Sequence, residues 1–193
     1  MLHIRPDDFD AAIQALNDSL VLAVPTETVY GLAVKADNQP AIDKLIALKS
    51  RPHESEKIFA LMLGDPADIH YYAHVPHEAA DLANRYFPGP LTLVLPKNPN
   101  FRNPYFDHYD TIGIRIPDHP FMLELLLRAG PLIVTSANPR GEESAISGSE
   151  VAERMPEVDA VIDSEADNQL PSTVIDATGD ELIVLRRGPI TLE

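Results

Sequence analysis

The chain has 193 residues, which is enough for one large domain or two small ones. It contains no cysteine, which excludes disulfides, thiolate metal sites and a cysteine nucleophile. The formal charge of −15 repels nucleic acid at long range, so any RNA contact needs a local basic patch. No apolar run approaches the ~20 residues of a membrane span, and the N-terminus lacks the regions of a signal peptide. We therefore expect a cytoplasmic protein with no membrane partner.

The first strand leads into a turn rich in threonine. Residues 7–18 read as a short amphipathic helix, and the apolar run 20–24 is predicted to be a buried strand. Pro25 cannot donate to a sheet ladder, so the strand should stop there, just before Thr26-Glu27-Thr28. Ligands commonly bind where strands of an α/β sheet end, which makes this turn a candidate site. A helix cap made by Thr26 or Thr28 is the alternative interpretation.

Two cations follow the next predicted helix. A short strand at 32–34 is followed by Asn38-Gln39-Pro40, which opens a helix ending in Lys49-Ser50-Arg51-Pro52. Pro52 disfavours helix at the preceding residue, so Lys49 and Arg51 lie at the helix C-terminus or just beyond it. They either interact with the helix dipole or bind a phosphate or carboxylate, with Arg51 as a fork and Lys49 as a point charge.

The middle of the chain alternates between strands and helices. Strands are predicted at 58–63 and 91–95, on either side of an amphipathic helix at 78–86. Residues 96–110 form a long polar loop, which in a compact domain is often a lid or a binding loop. Three histidines lie near each other, but no carboxylate completes a zinc pattern, so no metal site is expected at His70, His74 and His77.

The second half repeats the pattern of a strand that ends in polar side chains. Residues 111–116 alternate as a strand does, which places Thr111 and Arg115 on one face. Arg115 can hold a carboxylate if that face looks into a cleft, and has no special role if it faces solvent. Asp118 is expected to cap a helix at 121–128. The next strand, 132–135, ends in Ser136-Ala137-Asn138, which is either a site or a Ser/Asn turn.

Hydroxyls and cations thus accompany apolar runs throughout the chain, and no Ser-His-Asp set or P-loop accompanies them. Several cations and hydroxyls without an evident nucleophile suit the binding and positioning of a polyanion and a carboxylate. The residues in this pattern are Thr26, Lys49, Arg51, Thr111, Arg115, Ser136, Asn138, Ser172 and Arg186.

Seven short motifs, in a fixed order that spans nearly the whole chain, give the sequence a family resemblance. In these motifs the chain resembles the YrdC family, the threonylcarbamoyl-AMP synthases of tRNA modification. The motifs are Pro25-Thr26-Glu27-Thr28-Val29-Tyr30-Gly31-Leu32, Lys49-Ser50-Arg51-Pro52, Pro88-Gly89-Pro90-Leu91-Thr92, Arg115-Ile116-Pro117-Asp118-His119-Pro120, Thr135-Ser136-Ala137-Asn138, Pro171-Ser172-Thr173-Val174-Ile175-Asp176 and Arg186-Arg187-Gly188.

The resemblance implies both a fold and an activity. The fold would be a single α/β domain over residues 1–193, with a twisted mixed sheet, flanking helices and an open concave cleft. The activity would be the condensation of L-threonine, bicarbonate and ATP into threonylcarbamoyl-AMP and pyrophosphate, with Mg²⁺ carried on the ATP. A separate downstream threonylcarbamoyl-transferase complex would then modify the adenosine beside the tRNA anticodon.

The resemblance also assigns residues to roles. The family's catalytic set maps onto Lys49, Arg51, Ser136 and Asn138. Threonine would be held by Thr26, Arg115 and Ser172, and no metal ligands are implied. ATP would be bound by Lys49, Arg51, Thr111, Ser136, Ser144 and Arg186.

The chain departs from the family pattern at several points. Ile58 stands where Pro is frequent, Arg140-Gly141 replaces the usual Ser-Gly, and the segment before Pro171 is acidic where glycine is common. The chain ends soon after Gly188, without the extra domain of long-form relatives, so we expect the 96–110 loop to cover the cleft.

Three other interpretations stay open at this stage. The first is a non-catalytic YrdC-like paralogue that binds RNA, since a local basic patch could support a weak tRNA contact despite the negative net charge. The second is a module like that of hydrogenase maturation carbamoyltransferases, although their zinc-finger cysteines are absent here. The third is a close paralogue without synthase activity, although such paralogues commonly lose parts of the Lys-x-Arg and Ser-x-Asn sets, and all four residues are present here.

Overall fold

A mixed sheet of ten strands runs through the part of the chain that the structure, a computed structural model, describes: residues 1–49, 59–168, 170–179 and 181–191. The strands are β1 (Leu2–Ile4), β2 (Leu22–Val24), β3 (Gly31–Lys35), β4 (Ala60–Met62), β5 (Leu91–Pro96), β6 (Thr111–Arg115), β7 (Leu132–Ser136), β8 (Ala160–Ile162), β9 (Thr173–Asp176) and β10 (Ile183–Arg186). Their order is β1-β8-β2-β3-β7-β4-β6-β5-β9-β10, and both parallel and antiparallel pairs occur. The predicted mixed α/β sheet is therefore confirmed.

Helices connect these strands, and their ends follow local sequence rules. Asp8 caps α1 by accepting from the Ala11 N–H, and Asn38 caps α2 in the same way. The prediction that Asp118 caps the next long helix is wrong, because α5 begins at Pro120 with His119 in the cap position. None of the described helices is long and apolar enough to cross a membrane. The helices are α1 (Phe9–Asn17), α2 (Gln39–Leu48), α3 (Ile69–Tyr72), α4 (His77–Tyr86), α5 (Pro120–Ala129) and α6 (Gly148–Arg154), with short 3₁₀ helices at Pro66–Asp68 and Phe106–His108.

The two faces of the sheet are covered to different extents. On one face, α2, α3, α4 and α6 pack over a continuous core that includes Leu32, Leu61 and Ile114. On the other face, α1 and α5 pack around Leu22 and Val134, which lie towards the β1 end of the sheet. The remaining part of that face, built mainly by β4, β6, β5 and β9, lines an open cleft. The expected concave cleft is thus the half of a sheet face that α1 and α5 leave open.

The loop between β5 and β6 belongs to the core. Phe106 is fully buried, and the Tyr105 hydroxyl accepts a hydrogen bond from the Phe59 N–H at 3.0 Å. The buried Asn103 amide donates to the Ala36 carbonyl at 2.6 Å and ties the loop to the end of β3. Among the described residues that line the cleft, none comes from 97–110. The expectation that this loop covers the cleft is wrong, because its aromatic side chains are buried elsewhere.

Candidate active site

The cleft has a volume of about 480 Å³ and collects polar side chains from several strands. Because side chains alternate along a strand, β6 presents Thr111, Gly113 and Arg115 to the cleft while Ile112 and Ile114 enter the core. The prediction that Thr111 and Arg115 lie on one face of this strand is confirmed. Other polar residues of the lining are Thr26, Thr92, Ser136, Ser172, Asp176 and Arg186.

Arg115 lies on the cleft wall with one edge fixed by the protein. Its NH2 group donates to Glu27 Oε1 and to Thr28 Oγ1, each at 2.8 Å. The side chains of Arg115 and Glu27 are only 7% and 11% exposed, so this is a buried ion pair. Within the described residues, the Nε–H of Arg115 and the second carboxylate oxygen of Glu27 have no hydrogen-bond partner. Arg115 therefore keeps its NH1 group for an acceptor in the cleft, since its Nε atom is fully buried.

The threonine-rich turn supports this arginine. The Thr26 hydroxyl donates to the Val29 carbonyl at 2.7 Å and accepts from the Thr28 N–H at 3.1 Å. Since its proton is used on Val29, the 2.8 Å contact between the two hydroxyls has Thr28 as donor and Thr26 as acceptor. Thr28 in turn accepts from Arg115. The turn leads into β3, so the alternative of a helix cap at Thr26 or Thr28 is wrong.

Three members of the predicted catalytic set come together at the end of β7. The Lys49 ammonium donates to the Ser136 carbonyl at 2.9 Å, to the Asn138 carbonyl at 2.6 Å and to Asn138 Oδ1 at 2.9 Å. The Ser136 hydroxyl donates to the same Oδ1 at 2.6 Å, and Asn138 Nδ2 donates to the Glu142 carbonyl. Lys49 is only 4% exposed, so it fixes the backbone that carries the other two residues. Arg51, the fourth member, lies outside the described residues, as does Ile58.

A second arginine is held on the opposite strand pair, β9–β10. Arg186 Nε donates to the Ser172 carbonyl and its NH2 to Ser172 Oγ, both at 2.9 Å. Ser172 Oγ also lies 2.8 Å from Thr92 Oγ1, which anchors it to β5. Desolvation, with a smaller effect from the charge of Arg115, lowers the pKa of Arg186 below its ordinary value. No carboxylate among the described residues forms an ion pair with Arg186. Arg186 thus contributes a positive charge to the cleft wall, which Asp176 of β9 also lines.

Not every predicted residue belongs to this cleft. Ser144 is half-buried in the segment between β7 and α6 and does not line the cleft with the other described residues. Lys49 and Asn138 do not line it either, but both contact Ser136, which does. No group of three or more potential metal ligands occurs among the described residues, which include His70, His74 and His77.

The structure also brings forward residues to which sequence reasoning gave no role. Glu27, Thr28 and Thr92 contact Arg115 or Ser172 directly. The sequence contained a signal for Glu27. An arginine buried in a cleft wall needs a buried acceptor, and Glu27 is the carboxylate within the candidate turn.

Comparisons with known proteins place this architecture in a family. Residues 14–188 match the model of the Sua5/YciO/YrdC family, whose description is telomere recombination. The threonylcarbamoyl-AMP synthase of Mus musculus is 38% identical over 174 residues, covering 86% of this chain and 61% of the mouse protein. A putative threonylcarbamoyl-AMP synthase of Methanocaldococcus jannaschii is 36% identical, over 93% of this chain and 84% of that protein.

A solved structure agrees with the sequence comparisons. Sua5 of Pyrococcus abyssi, solved in complex with L-threonine, superposes with a TM-score of 0.85 at 32% identity. The superposition covers 97% of this chain and 56% of that chain. This chain thus spans roughly three fifths of the mouse protein and a little over half of the Pyrococcus chain. The family match over most of the chain, together with these relatives, shows that the chain belongs to the Sua5/YciO/YrdC family.

Proposed function

We propose that the chain is an L-threonylcarbamoyladenylate synthase, a nucleotidyltransferase that condenses L-threonine, bicarbonate and ATP into threonylcarbamoyl-AMP and pyrophosphate. The observation that carries the proposal is the convergence of Arg115, Arg186 and several hydroxyls on one cleft, with Lys49 buried behind Ser136, in a chain of net charge −15. The names of the relatives from mouse and Methanocaldococcus, and the L-threonine complex of the Pyrococcus relative, support it.

Threonine is proposed to bind beside Arg115. A carboxylate can accept from the NH1 group, which donates to no described residue, and such charge-assisted bonds are both strong and directional. Ser172 lines the same cleft. Thr26 lies there too, but its hydroxyl already donates to Val29, so it contributes mainly by supporting Thr28.

The proposed chemistry has two steps. The amine of threonine attacks the carbon of bicarbonate, and loss of water leaves a carbamate. A carbamate oxygen then attacks the α-phosphorus of ATP, and pyrophosphate leaves as the P–O bond breaks. Both reactants of the second step are anions, so nearby cations must offset their repulsion, and donors near the phosphoryl oxygens stabilise the charge that grows there.

ATP binding is assigned to a second group of the predicted site residues. Lys49, Arg51, Ser136 and Asn138 are proposed to face the reacting phosphate, with Thr111 and Arg186 further along the cleft; Ser144 is left out because of its position. Mg²⁺ is proposed to arrive on the triphosphate, whose oxygens suit this hard cation. The single domain is proposed to comprise residues 1–193. The product would pass to a downstream threonylcarbamoyl-transferase complex that modifies the adenosine beside the tRNA anticodon.

Pyrophosphate release tests the proposal directly. The protein is incubated with ATP, Mg²⁺ and bicarbonate, with and without L-threonine, and the nucleotide products are examined by mass spectrometry. We expect threonine-dependent pyrophosphate release and a threonylcarbamoyl adduct of AMP. A folded protein that binds ATP but releases no pyrophosphate with threonine would refute the proposal and favour the RNA-binding paralogue. A salt titration of tRNA binding would then show a steep slope.

A further inference from the structure

A buried carboxylate lies behind the cationic wall of the cleft. Glu27 pairs with Arg115 but is not among the described residues that line the cleft. Resting on the proposed function, we propose that Glu27 and Thr28 are positioning residues for the substrate carboxylate: together they orient Arg115, and the charge of Glu27 holds its affinity for that carboxylate down.

The orientation follows from counting hydrogens. A guanidinium carries five N–H donors, two of them on NH2. Glu27 Oε1 and Thr28 Oγ1 each lie 2.8 Å from NH2, so both of its hydrogens are used by the protein. The Thr28 hydroxyl cannot turn away easily, because its own proton is used on Thr26. The NH2 group is consequently closed to a ligand, and the fixed guanidinium offers its NH1 group, which donates to no described residue, in a single orientation.

The effect on the affinity for a carboxylate follows from the charge of Glu27. Arg115 is already neutralised by Glu27 before any ligand arrives, and both side chains are nearly enclosed by protein. A bound carboxylate would share one guanidinium with Glu27, and the two anions would repel each other through a medium of low dielectric constant. Such repulsion weakens binding and allows the carboxylate to leave after the reaction.

Two substitutions separate orientation from charge. Glu27→Gln keeps an oxygen that can accept from NH2 but removes the negative charge, so we expect L-threonine to bind about tenfold more tightly. Thr28→Val keeps the shape and the charge but removes the second acceptor, so we expect binding to weaken about tenfold. Opposite shifts in affinity are the signature of the proposal, and dissociation constants from calorimetric titration measure them.

Two controls isolate the effect. L-Threoninamide lacks the carboxylate, so the tightening by Glu27→Gln and the weakening by Thr28→Val should both be absent with it. Glu124→Gln removes the partner of Arg128 on the exposed face of α5 and should leave threonine binding unchanged. Thermal unfolding shows whether each variant is folded. If only Glu27→Gln folds, it still tests the role of the charge, and if only Thr28→Val folds, it still tests the orientation of Arg115.

The outcomes distinguish this inference from the proposed function. If wild-type protein forms the adduct but both variants bind threonine like wild type, or both weaken threonine and threoninamide alike, the positioning roles are refuted and the function stands. If neither wild type nor any variant binds threonine, the function and this inference are both refuted.

Discussion

Replacing Lys49 by methionine tests whether one buried ammonium both stabilises the end of β7 and supports turnover. Methionine has nearly the same length but offers none of the three hydrogen bonds to Ser136 and Asn138. The Asn138 carbonyl loses its donor at about 1–3 kcal/mol, while the Ser136 carbonyl keeps the Asn138 N–H and Asn138 Oδ1 keeps the Ser136 hydroxyl. Relief from burying a charge offsets part of this cost, which leaves about 1–2 kcal/mol of lost stability. For a domain of this size that is a fall in Tm of about 2–8 °C.

Turnover should fall further than stability alone explains. Loss of a preorganised cation near a developing negative charge typically costs about 10²–10³ in rate. We expect Lys49→Met to lose at least that factor in threonine-dependent pyrophosphate release, at a temperature where the variant is still folded. Lys44→Met is the matched control, because Lys44 donates to the Ser19 carbonyl on the surface and should change neither property appreciably. A Tm equal to that of wild type would refute the hydrogen-bond reasoning, and an unchanged rate would refute the catalytic role.

Three further predictions concern other parts of the structure. Ser172→Ala removes the hydrogen-bond partner of the Thr92 hydroxyl and the acceptor of one N–H of Arg186, so the KM for ATP should rise; initial rates at varied ATP would show no rise if the contact is incidental. Phe106→Ala should lower the free energy of unfolding in urea by about 3–5 kcal/mol with little change in KM. Substitution of a lid residue would instead change KM and leave the free energy of unfolding nearly unchanged. Burial lowers the pKa of His119, so the unfolded chain binds its proton more readily; stability should fall as pH drops below about 6.5, and less so in His119→Asn. Urea titrations from pH 5 to 8 would contradict this prediction if the free energy of unfolding changed with pH equally in both proteins.

Local rules predicted the parts of the fold that local chemistry controls. Pro25 stops β2 because it has no N–H for the ladder, and Asn38 opens α2 because its side chain satisfies the Ala41 N–H. The strand period of two placed Thr111 and Arg115 on the cleft face. These features depend on residues within a few positions of each other, so the sequence displays them directly.

Features that depend on distant partners could not be predicted in the same way. Strand β1 has three residues and is held by parallel pairing with β8 near the other end of the chain. The polar composition of residues 97–110 suggested a lid, but Tyr105 and Phe106 find their partners in the core. The ion pair between Glu27 and Arg115 joins residues 88 positions apart, and their motifs alone do not show that the two meet.

The charge distribution explains how an acidic chain can serve anionic substrates. A net charge of −15 disfavours polyanions at long range, but that field is screened within about 10 Å at ordinary ionic strength. The charged residues that line the cleft are Arg115, Arg186 and Asp176, and of the two arginines only Arg115 has a carboxylate partner among the described residues. A compact anion such as a nucleotide needs only this local field, whereas a duplex must also cross the acidic surface around it. The same arrangement therefore favours small anionic substrates over RNA as the occupant of the cleft.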